Sequence, residues 1–171
     1  MLCFTITAFG QTKVTADLDG DTTPDRFEII TTDEGFKIGY ALSTQGSKPL
    51  FSQVVTSAGD ETKVSVSKNV VTLTIGYMRA TYTYKFRYDS KLKQIKVIGY
   101  DNEQFGNALN DGAGMSSYNL LTGAYVAQWN HYNEKKKVLV ADPKISKKLP
   151  LKDYVLKNFS DKVIDELNSV E

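Results

Sequence analysis

Between residue 26 and about residue 142 the chain alternates apolar and polar positions. "RFEII" places Phe27 and Ile29 on one face, and "GFKIGYAL" does the same with Phe36, Ile38, Tyr40 and Leu42. "VVTLTIGY" alternates Val71, Leu73, Ile75 and Tyr77, and "TYTYKFRY" alternates Tyr82, Tyr84, Phe86 and Tyr88. A period of two is that of a strand with one buried face. The parity shifts between Tyr77 and Tyr82, so a turn or bulge is predicted around "MRA", because a one-residue slip would invert every side chain. "DEG" at 33–35, "SAGDE" at 57–61, "SKN" at 67–69, "DSKLK" at 89–93 and "NEKK" at 133–136 supply turn residues between the runs. Their spacing predicts a mainly β protein, an antiparallel meander of several hairpins. No β–α–β alternation is present to suggest a dinucleotide-binding or barrel scaffold.

The period changes in the tail. In "LKDYVLKNFSDKVIDELNSV", Val155, Phe159, Val163 and Leu167 recur at four-residue steps, flanked by Leu156, Ile164 and Val170. This predicts an amphipathic helix over about 151–169, or two short ones divided near Ser160, a suitable cap for the second. Its apolar stripe is expected to pack on the sheet.

Composition narrows the picture. The 171 residues suit one domain with its own core, read here as residues 11–171. A formal net charge of +1 provides no field toward nucleic acid. Lys135 to Lys137 read as a solvated hairpin tip, with a polyanion contact as the sharper alternative. Cys3 is the one cysteine and His131 the one histidine, which excludes a zinc finger, an iron–sulfur cluster or an intrachain disulfide. Residues 1–10, "MLCFTITAFG", are the most apolar run, too short for a transmembrane span. They resemble the remnant of a secretory signal peptide, with a buried first strand as the alternative, and point to a secreted or periplasmic protein.

The sharpest chemistry lies in "ADLDGDTTPD", residues 16–25. Counting Asp17 as position one, carboxylates fall at positions one, three, five and nine: Asp17, Asp19, Asp21 and Asp25. Like charges this dense call for a cation or for solvent screening. Calcium takes six to eight oxygens, and the Thr23 carbonyl would add one more. Gly20 lets the backbone bend between ligands, and Pro24 holds the exit extended into the following strand. Magnesium, which keeps its waters, suits so many carboxylates less well. A metal-free Asp-rich turn is the remaining reading. The stretch resembles the D-x-[DN]-G-D-x-x-x-D calcium loop of FG-GAP (integrin-type) and VCBS-repeat proteins, and more distantly that of dockerins, over about residues 16–30. That resemblance implies side-chain ligands at Asp17, Asp19, Asp21 and Asp25, a carbonyl ligand at Thr23, and a structural ion. It departs at position six, where glycine is usual and Thr22 stands; a β-branched residue is poorly suited to a positive φ.

The stretch 100–117, "YDNEQFGNALNDGAGMSS", has no periodicity and reads as a long loop. Asp101, Glu103, Phe105 and Asp111 make it the candidate ligand loop. Two functions follow. The first is an exported, non-enzymatic, calcium-stabilised β-domain that binds a protein or surface glycan, one version being an inhibitor or immunity-type protein; the ten tyrosines suit such a surface. The second is a carbohydrate-active hydrolase working through the carboxylates of 100–117, which would need a pair about 5–10 Å apart across a cleft.

Overall fold

The computed structural model describes residues 12–170. The apolar segment 1–10, with Cys3, therefore lies outside the described residues. Two antiparallel sheets share one core. The smaller runs β1 (Lys13–Ala16), β2 (Asp25–Thr32), β3 (Gly35–Ala41) and β4 (Leu50–Phe51) in sequence order. The larger has eight strands: β5 (Glu61–Ser67), β6 (Val70–Tyr77), β7 (Ala80–Asp89), β8 (Gln94–Phe105), β9 (Ala113–Asn119), β10 (Ala124–Asn133), β11 (Val138–Ala141) and β12 (Ile145–Lys148). From β5 to β11 each strand pairs with its neighbour in the chain, the meander that the turn signals predict. The outer edge of β10 is shared: Asn130–Asn133 pair with β11 and Ala124–Ala127 with β12.

The turns obey their residues. Lys68 and Asn69 both have positive φ (48° and 61°), the mirror-image geometry that suits the twist of a two-residue hairpin. The parity change after Tyr77 is a turn: Tyr77 pairs with Ala80 across Met78 and Arg79. A bulge lies further on, where the β7–β8 register shifts between Lys85 and Phe86. It moves the inward side of β8 from Ile95 and Val97 to Tyr100, all buried.

Phe27 of β2 meets Phe86 of β7 at 5.8 Å between ring centroids, joining the two sheets. The tail covers the rest of this inner face. It divides at Ser160 into a 3-10 turn (Leu156–Asn158) and helix α1 (Asp161–Asn168). Phe159, fully buried, sets its ring edge-on to Tyr84 at 5.2 Å and Phe86 at 5.3 Å. Val163, Ile164 and Leu167 are buried beside it, so the predicted stripe does pack on the sheet. The expected helix over 151–169 is shorter than its periodicity suggests. Residues before Leu156 are extended, because Val155 bridges Lys96 and the Tyr154 carbonyl accepts the Val97 N–H at 2.8 Å. Among the described residues no helix is long and apolar enough to cross a membrane.

The stretch 100–117 is not a long loop. It is the end of β8, a turn over 106–112, and the start of β9. Its inner face carries polar or small residues, among them Asn102, Gln104 and the buried Ser116, so strand alternation there leaves no apolar signature.

Candidate functional site

The aspartate loop joins β1 to β2 and closes through its own carboxylates. Asp17 Oδ1 accepts the N–H groups of Gly20 (2.6 Å) and Asp21 (3.1 Å), and its Oδ2 that of Thr22 (2.9 Å). This wrap brings one oxygen from each of Asp17, Asp19 and Asp21 to within 4.8 Å of the others. The turn requires φ of 86° at Gly20 and 71° at Thr22. The second value is unusual for a β-branched residue and falls at the position where the sequence departs from glycine.

The four aspartates do different work. Asp25 is buried and stands apart from the cluster of three. Its Oδ2 accepts the N–H groups of Leu18 (2.7 Å) and Asp19 (3.2 Å), and its Oδ1 that of Ser43 (2.7 Å). A buried carboxylate satisfied by three backbone donors locks the loop to the β3–β4 connection. Asp21 accepts the Ser43 hydroxyl (2.8 Å) and the Thr23 N–H (2.7 Å), and these bonds hold its carboxyl below the usual carboxylate range. Asp19 Oδ2 accepts the Thr44 hydroxyl, whereas its Oδ1 is buried and has no hydrogen-bond partner. None of the ion pairs among the described residues involves Asp17, Asp19 or Asp21. Three clustered carboxylates, one with a buried and unpaired oxygen, form a group able to hold a hard metal ion.

The second set of candidates lies on the large sheet. Cross-strand register builds two rows on its outer face: Thr83, Asp101, Ser117 and Val126, then Thr81, Glu103, Met115 and Gln128. Together with Lys144 they line a cavity of about 510 Å³. Asp101 is committed within it: Oδ2 pairs with Lys85 Nζ at 2.6 Å and Oδ1 accepts the Ser117 hydroxyl at 2.6 Å. Glu103 is exposed two residues along. Phe105 and Asp111 do not join this cavity. Phe105 is exposed at the end of β8, and Asp111 accepts the Tyr132 N–H at 2.7 Å, tying the β8–β9 turn to β10.

The remaining candidates are peripheral. His131 Nδ1 lies 2.6 Å from Asp142 Oδ1 on an exposed stretch of β10, without a nucleophile beside it among its hydrogen bonds. Lys135–Lys137 lie in the β10–β11 turn, where Lys137 pairs with Glu134 at 2.8 Å. Sequence reasoning passed over the outer-face partners Thr81, Thr83, Ser117 and Gln128. Their signal was present as the polar parity of β7, but pairing across strands is invisible until the register is known. Compared with protein-family models, curated proteins and solved structures, the chain finds no match in any of the three.

Proposed function

We propose that this chain is an exported, non-enzymatic β-domain whose 17–25 loop binds calcium and whose large sheet binds a protein or a surface glycan. The binding reading is carried by the uncovered face of the large sheet. It presents a concavity of threonine, serine, glutamine and methionine with Glu103 and Lys144 also in its lining, while Asp101 is paired with Lys85 and Ser117. A hydrolase of the two-carboxylate type needs both carboxyl groups free to exchange protons or attack, which disfavours that alternative. Export is supported by the signal-like composition of residues 1–10 and by the single cysteine.

The calcium reading is supported by the three-carboxylate cluster, the unpaired Asp19 oxygen and the FG-GAP-like spacing, with the Thr23 carbonyl as a further ligand that the resemblance implies; Asp25, a ligand by that resemblance, is committed to three backbone N–H groups outside the cluster. The ion would be structural, tying the segment before β2 to the β3–β4 connection; no step of catalysis runs through it. A pull-down from envelope and extracellular fractions, with and without chelator, tests partner and ion together. Capture that depends on calcium and is lost in Thr83→Arg or Gln128→Arg variants supports the outer face. Turnover of a glycan that disappears in Glu103→Gln would overturn the non-enzymatic reading.

A further inference from the structure

The inner face of the large sheet has a second concavity where its cover runs out. Helix α1 ends at Asn168, over the row Tyr84–Tyr100–Tyr118–Tyr125, which crosses four strands. Tyr100 donates its hydroxyl hydrogen to Asn168 Oδ1. Beyond this point two further rows continue to the rim, Tyr82–Asn102–Ser116–Ala127 and Ala80–Gln104–Gly114–Trp129; Ala80, Ser116 and Ala127 are buried, and Tyr82, Asn102, Gln104 and Trp129 are half-buried. The result is a groove of about 490 Å³. Tyr82 forms one wall, Trp129 and Tyr125 the other, and Asn102 and Gln104 lie between them with Asn168 at the helix end.

The parts are held in place before any ligand arrives. Tyr82 is clamped between Tyr77, edge-on at 5.6 Å, and Tyr100, stacked at 6.4 Å with 10° between planes. The Gln104 amide donates to Asn102 Oδ1 (2.7 Å) and to the Tyr82 hydroxyl (3.2 Å), which fixes both amides. Trp129 lies across Gly114, where a Cβ would come within 2.6 Å of the indole. A contiguous cavity of about 290 Å³ shares Tyr82 and Asn168 with the groove. Tyr84 lines it, and the Tyr84 hydroxyl is buried without a hydrogen-bond partner. That is a polar group for which the protein supplies no mate.

Every residue lining the groove is uncharged. Aromatic faces favour a ligand with flat apolar C–H surfaces, and amides that both donate and accept favour hydroxyl groups, which do the same. Two cations stand near it, Lys147 with its Nζ 4.9 Å from the Tyr125 ring and Arg79 donating to the Gly106 carbonyl, and both are already engaged, so a polyanionic ligand would leave its water for little in return. The geometry points to a neutral oligosaccharide as the ligand of this groove, its rings against Tyr82 and Trp129 and its hydroxyls on Asn102 and Gln104. This assignment rests on the reading of the domain as a binder and names a ligand class and a site on the other face of the sheet.

Trp129 is the only tryptophan in the chain, so its fluorescence reports the groove directly. Cellohexaose, maltohexaose and chitohexaose, each titrated to 10 mM, form the neutral arm; a heparin hexasaccharide and trigalacturonate form the charged arm. At least one neutral sugar is expected to shift the emission saturably, and Asn102→Ala and Gln104→Ala are expected to weaken that binding at least tenfold with the fold retained by circular dichroism. No response to any neutral sugar, an unchanged response in both variants, or tighter binding of a charged sugar would each overturn the assignment. A calcium-dependent partner still captured by Gln104→Ala and lost in Thr83→Arg, together with no response of Trp129 to any neutral sugar, would sink the groove while leaving the broader binding reading intact.

Discussion

Asp25 and Asp19 differ by six positions and by almost everything that fixes their roles. Asp25 has three backbone donors and is buried; Asp19 has an oxygen left over. Removing Asp25 strands three N–H groups, so Asp25→Ala should cost about 3–5 kcal/mol, the sum of lost charged hydrogen bonds and unsatisfied donors, with or without calcium. Urea unfolding with and without chelator separates the two cases. Asp19→Ala and Asp21→Ala should leave the chelated protein near wild type and abolish its response to calcium. Thr22 gives a third measurement at this scale. Its φ of 71° favours glycine, and an L-residue in that region carries about 1–2 kcal/mol of strain. Thr22→Gly should therefore bind calcium more tightly by calorimetry. Equal or weaker affinity would mean that the threonine conformation costs the loop nothing.

At the scale of elements, the tail and the hairpins hold the molecule by different means. The ring of Phe159 fills the space between Tyr84 and Phe86, and Phe159→Ala should lower stability by about 3–5 kcal/mol in denaturant titration. The β7–β8 turn depends on charge. Asp89 accepts a hydrogen bond from Lys96 at 2.8 Å and further bonds from the Leu92 and Lys91 N–H groups, which hold its carboxyl down to about 2. Because the folded value lies below the unfolded one of 3.8, this contribution is complete above about pH 4 and is lost as pH falls from about 4 toward 2. Asp89→Asn should flatten the fall in unfolding midpoint across that window and leave it unchanged in slope at neutral pH.

These same elements show what a sequence can and cannot disclose. Strands β2, β6 and β7 were legible because one face of each is more buried than the other, and β3 because Phe36, Ile38 and Tyr40 alternate with smaller or polar residues even where both of its faces are buried. The division of the tail at Ser160 was legible from the residue type there and the stripe on either side, although Ser160 stands at the N-cap position without a side-chain capping hydrogen bond. The strand character of 100–105 and 113–117 was not, since Asp101 to Gln104 line cavities on both faces and the inward position at the start of β9 is the buried Ser116, so no contrast in hydropathy marks them. The extended path before Leu156 was also hidden: its apolar spacing suits a helix, and a backbone bond to Val97 overrides it. Of the site, the clustering of Asp17, Asp19 and Asp21 follows from the dense spacing, but the separate burial of Asp25 depends on Ser43, a residue of another turn.

For the molecule as a whole, an ion bound only by the folded chain stabilises it by mass action, about 2.7 kcal/mol at a hundredfold excess over its dissociation constant. Calcium should raise the unfolding midpoint of the wild-type protein and chelator should lower it; a midpoint indifferent to both, with no heat of binding up to millimolar calcium, would leave the aspartates as a solvated turn. The large sheet also has to end somewhere, and its last strands are β11 and β12, each only four residues long. Among the described residues neither has a partner beyond β10. An open strand edge is a template for a second copy of the same chain, and a net charge of +1 gives copies little reason to stay apart. Lys147 and Lys148 within β12, Lys144 just before it and Lys135 to Lys137 beside β11 put a local row of positive charge along that border. A second molecule laying its own edge there would have to match lysine against lysine. In a protein this close to electrical neutrality, that margin carries a local excess of positive charge that opposes pairing with the same edge of a second copy.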